Sequence, residues 1–595
     1  MNAETHEVAV LHDGDLLEIG DQGNTEDTET KRHEEYYPIP NPQSPITQLP
    51  SLPTLPQPDR REPPSQKPQP PQTPTPLPPP EQLLQPLPST PRSPDPIPGK
   101  VPETITVERF EFEGNTAISS EELAKITEKY LNRAISFAEL FQVRSEITKL
   151  YVDKGYITSG ALIPPQTLTG GVVKIQIVEG GVESINVKGT RRLRTEYVRS
   201  RLRLVTGKPL NQKRLLEALQ LLQLNPLIEN ISAELAAGTE PGLSILEVQV
   251  KEAKTFRTQF SVDNNRSPSV GTVRRRLQAT EANLLGYGDG LTLTYNNTDG
   301  SNGGDLNYTF PINPRNGTLS FSYGTTTSQV IEPPFERIDI ESNSRYYELS
   351  IRQPLFQSPT EEFAIGVTAT RQESESSLLD IPFPLSPGAD DQGRTRITSL
   401  RFFQEWTKRS STQVLAARSQ FSTGIRAFGS TINEQAPDSR YFSWRGQAQM
   451  VRLLGPETLL LVRGDMQLAN KSLVPFEQFG LGGQASIRGY RQDILLTDNG
   501  ALLSAELRLP ILRLRETNSL LQIAPFVELG SAWNSSNKAA PDPNFLASVG
   551  LGLQLQLGDR VSARLDYGIP LVSVSSNKRT WQESGFYFSL IVNPF

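Results

Sequence analysis

The chain has 595 residues, 36% of them hydrophobic, with 49 prolines, 43 glycines and a net charge of −7; it is longer than one typical domain and uneven in composition. It has no cysteine and only three histidines, His6, His12 and His33, all near the N-terminus, so no disulfide framework, thiolate nucleophile, catalytic centre, metal site or other cofactor is expected. No basic block offers itself to nucleic acid, and no run reaches the roughly 18 to 20 apolar residues of a spanning helix, which leaves a closed β-barrel as the way to cross a bilayer.

Residues 1–37 are acidic and polar, and Val8-Ala9-Val10-Leu11 is too short for a secretory core with a basic flank. Export therefore requires either a start farther upstream or a leader already removed. Residues 38–102 hold about half of all the prolines and almost no aromatic side chains, which cannot offset the entropy of packing, so they read as an extended, disordered linker of polyproline character. A ligand for proline-recognising domains is the sharper alternative. Within the linker, Glu81-Gln82-Leu83-Leu84-Gln85 permits one helical turn and nothing more.

Order begins at residue 103. A strand is expected over 105–112, then a turn at Gly114-Asn115, and Ser119 with Glu122 has capping-box spacing at the head of a helix running to about residue 131. Phe137, Leu140, Phe141, Val143, Ile147, Leu150 and Tyr151 recur at helical spacing, with Gly155 placed for a left-handed cap. Strands over 157–163 and 172–178 complete a β-α-α-β-β unit, 103–180. The same order returns over 181–254: a strand at 182–187, a helix at 195–204, a second helix capped by Asn211 with Leu215, Leu216, Leu219 and Leu222 on one face, and strands at 231–235 and 243–250. Phe110-Glu111-Phe112-Glu113-Gly114-Asn115-Thr116, followed by Ile118-Ser119 and by this tandem repeat, resembles polypeptide-transport-associated (POTRA) domains, which makes the front of the chain an α+β pair.

From 255 to 595 strands follow without helices. Val549, Leu551, Leu553, Leu555 and Leu557 alternate with small or polar residues, Gly558-Asp559 turns the chain, and Val561, Ala563, Leu565 and Tyr567 alternate again. About sixteen such strands are expected, many long enough for the roughly 9 to 11 residues of a tilted spanning strand, with short turns at one end and longer connections such as 378–394 and 432–439 at the other. An all-β transmembrane barrel of antiparallel strands fits. Gly286-Tyr287-Gly288-Asp289-Gly290 opens a strand where a nucleotide site needs a helix, so it reads as a turn. Gly482-Gly483-Gln484-Ala485-Ser486-Ile487-Arg488-Gly489-Tyr490 reads as a loop, 480–497, folded into the barrel.

Two POTRA-like modules, a barrel and a proline-rich tether together resemble the outer-membrane transporters of two-partner secretion, the haemolysin secretion and activation type, over about 103–595. Arg488, Gly489 and Tyr490 match the family's arginine-glycine-aromatic loop motif, with Ile487 where valine is common. Phe526-Val527-Glu528-Leu529-Gly530 resembles its lumen-facing strand motif, with Glu528 where aspartate is usual. The resemblance implies that Arg488 pairs with Glu528 in the lumen, where Glu506 and Asp566 compete, and that the terminal aromatic Phe595 is a sorting signal. It further implies a monomer in the outer membrane with periplasmic POTRA domains, no enzymatic activity, a secreted unfolded exoprotein as partner, and contact with lipid and the barrel assembly machinery. The alternatives are an outer-membrane insertase of the same superfamily, a passive porin and a soluble β-rich binding protein.

Overall fold

The computed structural model describes residues 63–64, 73–74, 78–85 and 104–594, apart from 168–169, 241, 536–538 and 575–578; residues 1–37, most of the tether and Phe595 lie outside it. In the first small domain the expected opening strand is two pieces, Thr104–Thr106 and Arg109–Glu113. The break falls where the amides of Glu108 and Arg109 both donate to Gly171 O, at 2.7 and 3.3 Å, and Val107 O accepts from Asn132. Helix Ser120–Thr127 is capped by Ser119 and passes into a 3₁₀ turn, Glu128–Tyr130. The reciprocal capping box belongs to the second helix, Phe137–Asp153, between Ser136 and Glu139. The strand expected over 157–163 shrinks to Gly160–Leu162, paired with Val172–Val178. Phe110, Leu123, Ile147, Tyr151 and Ile175 form the core.

The second domain sets helices Thr195–Arg203 and Gln212–Gln223 against strands Gly181–Lys188, Ile228–Ala237 and Leu243–Glu252. Its sheet has a fourth strand from the tether. After a one-turn helix, Pro80–Leu83, the pair Leu84–Gln85 runs parallel to Ile228–Ala237, with Leu84 opposite Ala233. This corrects the expectation of a helical turn and nothing more. Proline has no N–H to give a sheet, residues 81–85 form a proline-free window in the run, and Leu83 and Leu84 are buried in one core with Leu215 and Leu219. About 3 kcal/mol or more of apolar burial is available from two leucines.

Sixteen antiparallel strands, from Phe256–Asp263 to Phe586–Val592, close into a barrel, with Ile381–Pro382 as a short hairpin extension. First and last strands meet over four residue pairs, Phe260 opposite Val592 through Asp263 opposite Ser589. Apolar side chains such as Leu293, Leu349, Leu503, Leu551 and Leu565 face outward and are exposed, while Ser504, Glu528, Ser548 and Asp566 on the other parity are buried inside, the lipid-out, polar-in pattern of a spanning barrel. The turn 282–289, at the end bearing the small domains, is the docking point of the second one. Arg194 N donates to Gly286 O at 2.9 Å, its guanidinium lies 3.8 Å over the Tyr287 ring, and a Cβ on Gly288 would enter the Tyr197 ring. At the next turn on that end Arg201 donates to Asn316.

Candidate functional site

Between the eleventh strand, Thr458–Ala469, and the twelfth, Asn499–Leu514, the chain leaves the wall and folds into the lumen. A hairpin of Phe479–Leu481 with Leu495–Thr497 stiffens this excursion, and Phe479, Leu481, Ile487 and Tyr490 pack with Leu502 and Leu546 of the wall. The tip turns at Gly489, whose φ of +101° suits only glycine, and a Cβ there would lie 3.1 Å from Pro570 N. The Tyr490 hydroxyl donates to Ala547 O at 2.8 Å and accepts from Val572 N at 3.1 Å. Tyr587, fully buried, receives Gly489 N–H at 2.9 Å and donates to Tyr490 O.

Arg488 stands between these contacts and is 4% exposed. Its backbone N–H donates to Glu528 Oε2 at 2.6 Å, and its Nε and Nη2 donate to Glu528 Oε1 at 3.0 and 2.6 Å. Its Nη1 reaches Glu506 at 2.9 Å and Asp566 at 3.1 Å. The three carboxylates thus converge on one guanidinium instead of competing for it. They come from the twelfth strand, the thirteenth (Ser519–Trp533) and the fifteenth (Val561–Pro570), so one loop residue ties three staves of the wall. The longer glutamate at 528 reaches both main chain and side chain of Arg488.

Sequence reasoning missed the other half of the cluster. Arg564 donates to both Glu506 and Asp566, and Arg508 to Glu506; both sit two residues from a named carboxylate, on the same inward parity, which is the signal that could have found them. It also missed a second anchor, Glu477 near the root of the loop, which accepts from buried Arg401 on the eighth strand at 2.6 Å. Removing one partner from a buried pair of this kind costs about 3–5 kcal/mol, because the other charge stays dehydrated. Among the described residues no cluster of histidine and carboxylate side chains is arranged to hold a metal. The site's chemistry is that of a buried cluster of ion pairs.

Residues 242–555 match the family described as haemolysin secretion/activation protein ShlB/FhaC/HecB, 105–180 the ShlB-type POTRA domain, and 181–253 the POTRA family of surface antigen variable number repeats. The heme/hemopexin transporter protein HuxB of Haemophilus influenzae is 23% identical over 503 residues, 80% of this chain and 85% of that one. The outer membrane transporter CdiB of Dickeya dadantii is 22% identical, over 68% and 74% of the two chains. Among solved structures, CdiB from Escherichia coli superposes with a TM-score of 0.64 at 20% identity, over 84% of this chain and 92% of its own. BamA from Haemophilus ducreyi lacking POTRA domains 1–3 reaches 0.50 at 15% identity, over 82% and 100%.

Two POTRA domains ahead of a closed sixteen-stranded barrel define an outer-membrane polypeptide transporter. The chain belongs to the haemolysin secretion/activation protein family: it is a two-partner secretion pore of the outer membrane, with its POTRA domains in the periplasm and a secreted protein as its cargo. The match over 242–555 is to the secretion/activation family, which the insertase alternative does not predict.

Proposed function

We propose that the Arg488 latch keeps this pore at rest, and that export proceeds when the loop 480–497 shifts and the lumen admits an unfolded exoprotein. The observation that carries this reading is the convergence of Glu506, Glu528 and Asp566 on one loop arginine. A loop held at one point by buried charge has two discrete positions, seated or released, and that is what a gate requires. In this reading 38–102 tether the acidic segment 1–37 to POTRA domains at 103–180 and 181–254, and 255–595 form a monomeric pore.

Capture of the exoprotein proceeds by strand addition to a POTRA sheet edge. At the Ile228–Ala237 edge the incoming strand competes with the chain's own Leu84–Gln85. Folding of the cargo outside the cell supplies the drive, since the pore needs neither nucleotide nor catalysis.

The test is Arg488→Ala in the full chain. The barrel is expected to insert, to leak more ions than the wild type, and to export its cargo poorly, because the loop no longer seats between translocation events. Undiminished export would overturn the latch. Depletion of other barrel proteins from the outer membrane on loss of the gene would instead favour an assembly role.

A further inference from the structure

We infer that Arg463 is the counter-ion that takes over Glu528 when Arg488 leaves the wall, and is therefore a positioning residue for the open state. The inference rests on the reading that the loop moves. Three carboxylates of the latch, Glu506, Glu528 and Asp566, are touched by three arginines, Arg488, Arg508 and Arg564. Withdrawing Arg488 would leave three carboxylates facing two arginines, and the surplus negative charge on the wall favours whichever cation lies nearest. A replacement cation therefore stabilises the open state.

Arg463 is positioned to be one. It lies on the inward parity of the eleventh strand, like buried Asp465 and Gln467. It pairs in register with Ser504, and Ser504 pairs in register with Glu528. Two inter-strand spacings, about 10 Å, separate the Arg463 and Glu528 backbones, a gap that an arginine and a glutamate side chain together bridge. On the wall between them stands Ser504, whose hydroxyl already donates to Glu528 at 3.2 Å.

In the seated state the charge of Arg463 is within Coulombic reach of Glu528, Asp465 and Glu506 but in direct contact with none of them. Among the described residues it has no hydrogen-bond or ion-pair partner, whereas the carboxylate nearest along its own strand, Asp465, is held by Arg445 at 2.8 Å. Arg463 also has room to turn, because it lines a lumen cavity with Arg418, Gln447, Gln449, Asp465 and Ala485, the last belonging to the gating loop. Seated, the cluster has one arginine to spare. Released, it is balanced by the exchange, so both loop positions become accessible.

The experiment uses the full chain in planar bilayers and in detergent. Arg463→Gln is expected to shorten the mean open time about tenfold, while Arg463→Lys, which keeps the charge, stays near wild type. In the Arg488→Ala background Arg463→Gln should lower the barrel's melting temperature by several degrees, and in the wild-type background it should not. Equal effects in both backgrounds, or a lysine variant as impaired as the glutamine one, would overturn the exchange. A cysteine pair at Ala485 and Ala416, which line the same cavity, bridged by a bifunctional reagent, isolates the underlying reading: export that survives the bridge refutes loop movement itself, independently of Arg463.

Discussion

The guanidinium carbon of Arg488 lies 3.4 Å from the centre of the Phe526 ring, while its Nε and Nη2 donate to Glu528, two residues farther along the same strand. One flat group therefore stacks by its face and forks by its edge, which an ammonium cannot do. Arg488→Lys, though it keeps the charge, is expected to lose roughly 3 kcal/mol of the latch and to leak in planar bilayers like Arg488→Ala. Wild-type conductance from the lysine variant would mean that charge alone seats the loop.

Glu528 binds its partner twice, through the main-chain N–H at 2.6 Å and through the guanidinium. Aspartate at this position keeps the charge but withdraws the carboxylate by one methylene, so it can satisfy only one of those two. Glu528→Asp is expected to lower the barrel's melting temperature in detergent, and Glu528→Gln, which leaves Arg488 short of a charge, to lower it further. A reversal of that order would show that reach matters more than charge.

The parity of the barrel could be read directly, because lipid and lumen demand opposite chemistry on alternate residues; hence Glu506, Glu528 and Asp566 could be assigned to the inside from the strands alone. Their convergence could not. It depends on register across four strands, including the irregularity between Pro510 and Leu512 that offsets the twelfth against the thirteenth, and register is fixed by turns remote from the site. Leu83 and Leu84 were hidden for a different reason: two leucines among prolines carry no period, and only the second POTRA core gives them a place. The turn at Gly286-Tyr287-Gly288 was recognised as a turn, but its role depends on Tyr197 and Arg194, about ninety positions earlier in the chain.

That docked segment yields a prediction of its own. Leu84 is 8% exposed and shields the edge of Ile228–Ala237. Leu84→Asp removes about 2 kcal/mol of burial and raises the undocked population roughly 30-fold. Hydrogen exchange at the amides of Ile228–Ala237 in the full chain should quicken accordingly. Unchanged exchange would mean that the edge is protected by something other than this segment.

The last prediction concerns acid. Glu179, 4% exposed at the end of the first POTRA domain, accepts from Thr116 N at 2.7 Å, Ala117 N at 2.8 Å, the Thr116 hydroxyl and the Tyr151 hydroxyl at 3.0 Å. Burial pushes its carboxyl up, but these donors together outweigh burial and hold it below its ordinary value of 4.5. Tyr151 is pushed well up, by burial first and then by Glu179, and so stays a neutral donor. A carboxyl depressed on folding stabilises the domain above its unfolded value, and that stability is lost as pH falls through the folded value. The segment 78–253, which carries both POTRA cores, should therefore melt at a nearly constant temperature above about pH 5 and progressively lower below it. Glu179→Gln should melt lower at neutral pH, because one acceptor becomes an amide among donors, and should fall less steeply in acid. Since Glu139 and Glu146 of the same domain are also held low, some slope will remain in the variant. The difference between the two curves isolates Glu179, and parallel curves would refute its role.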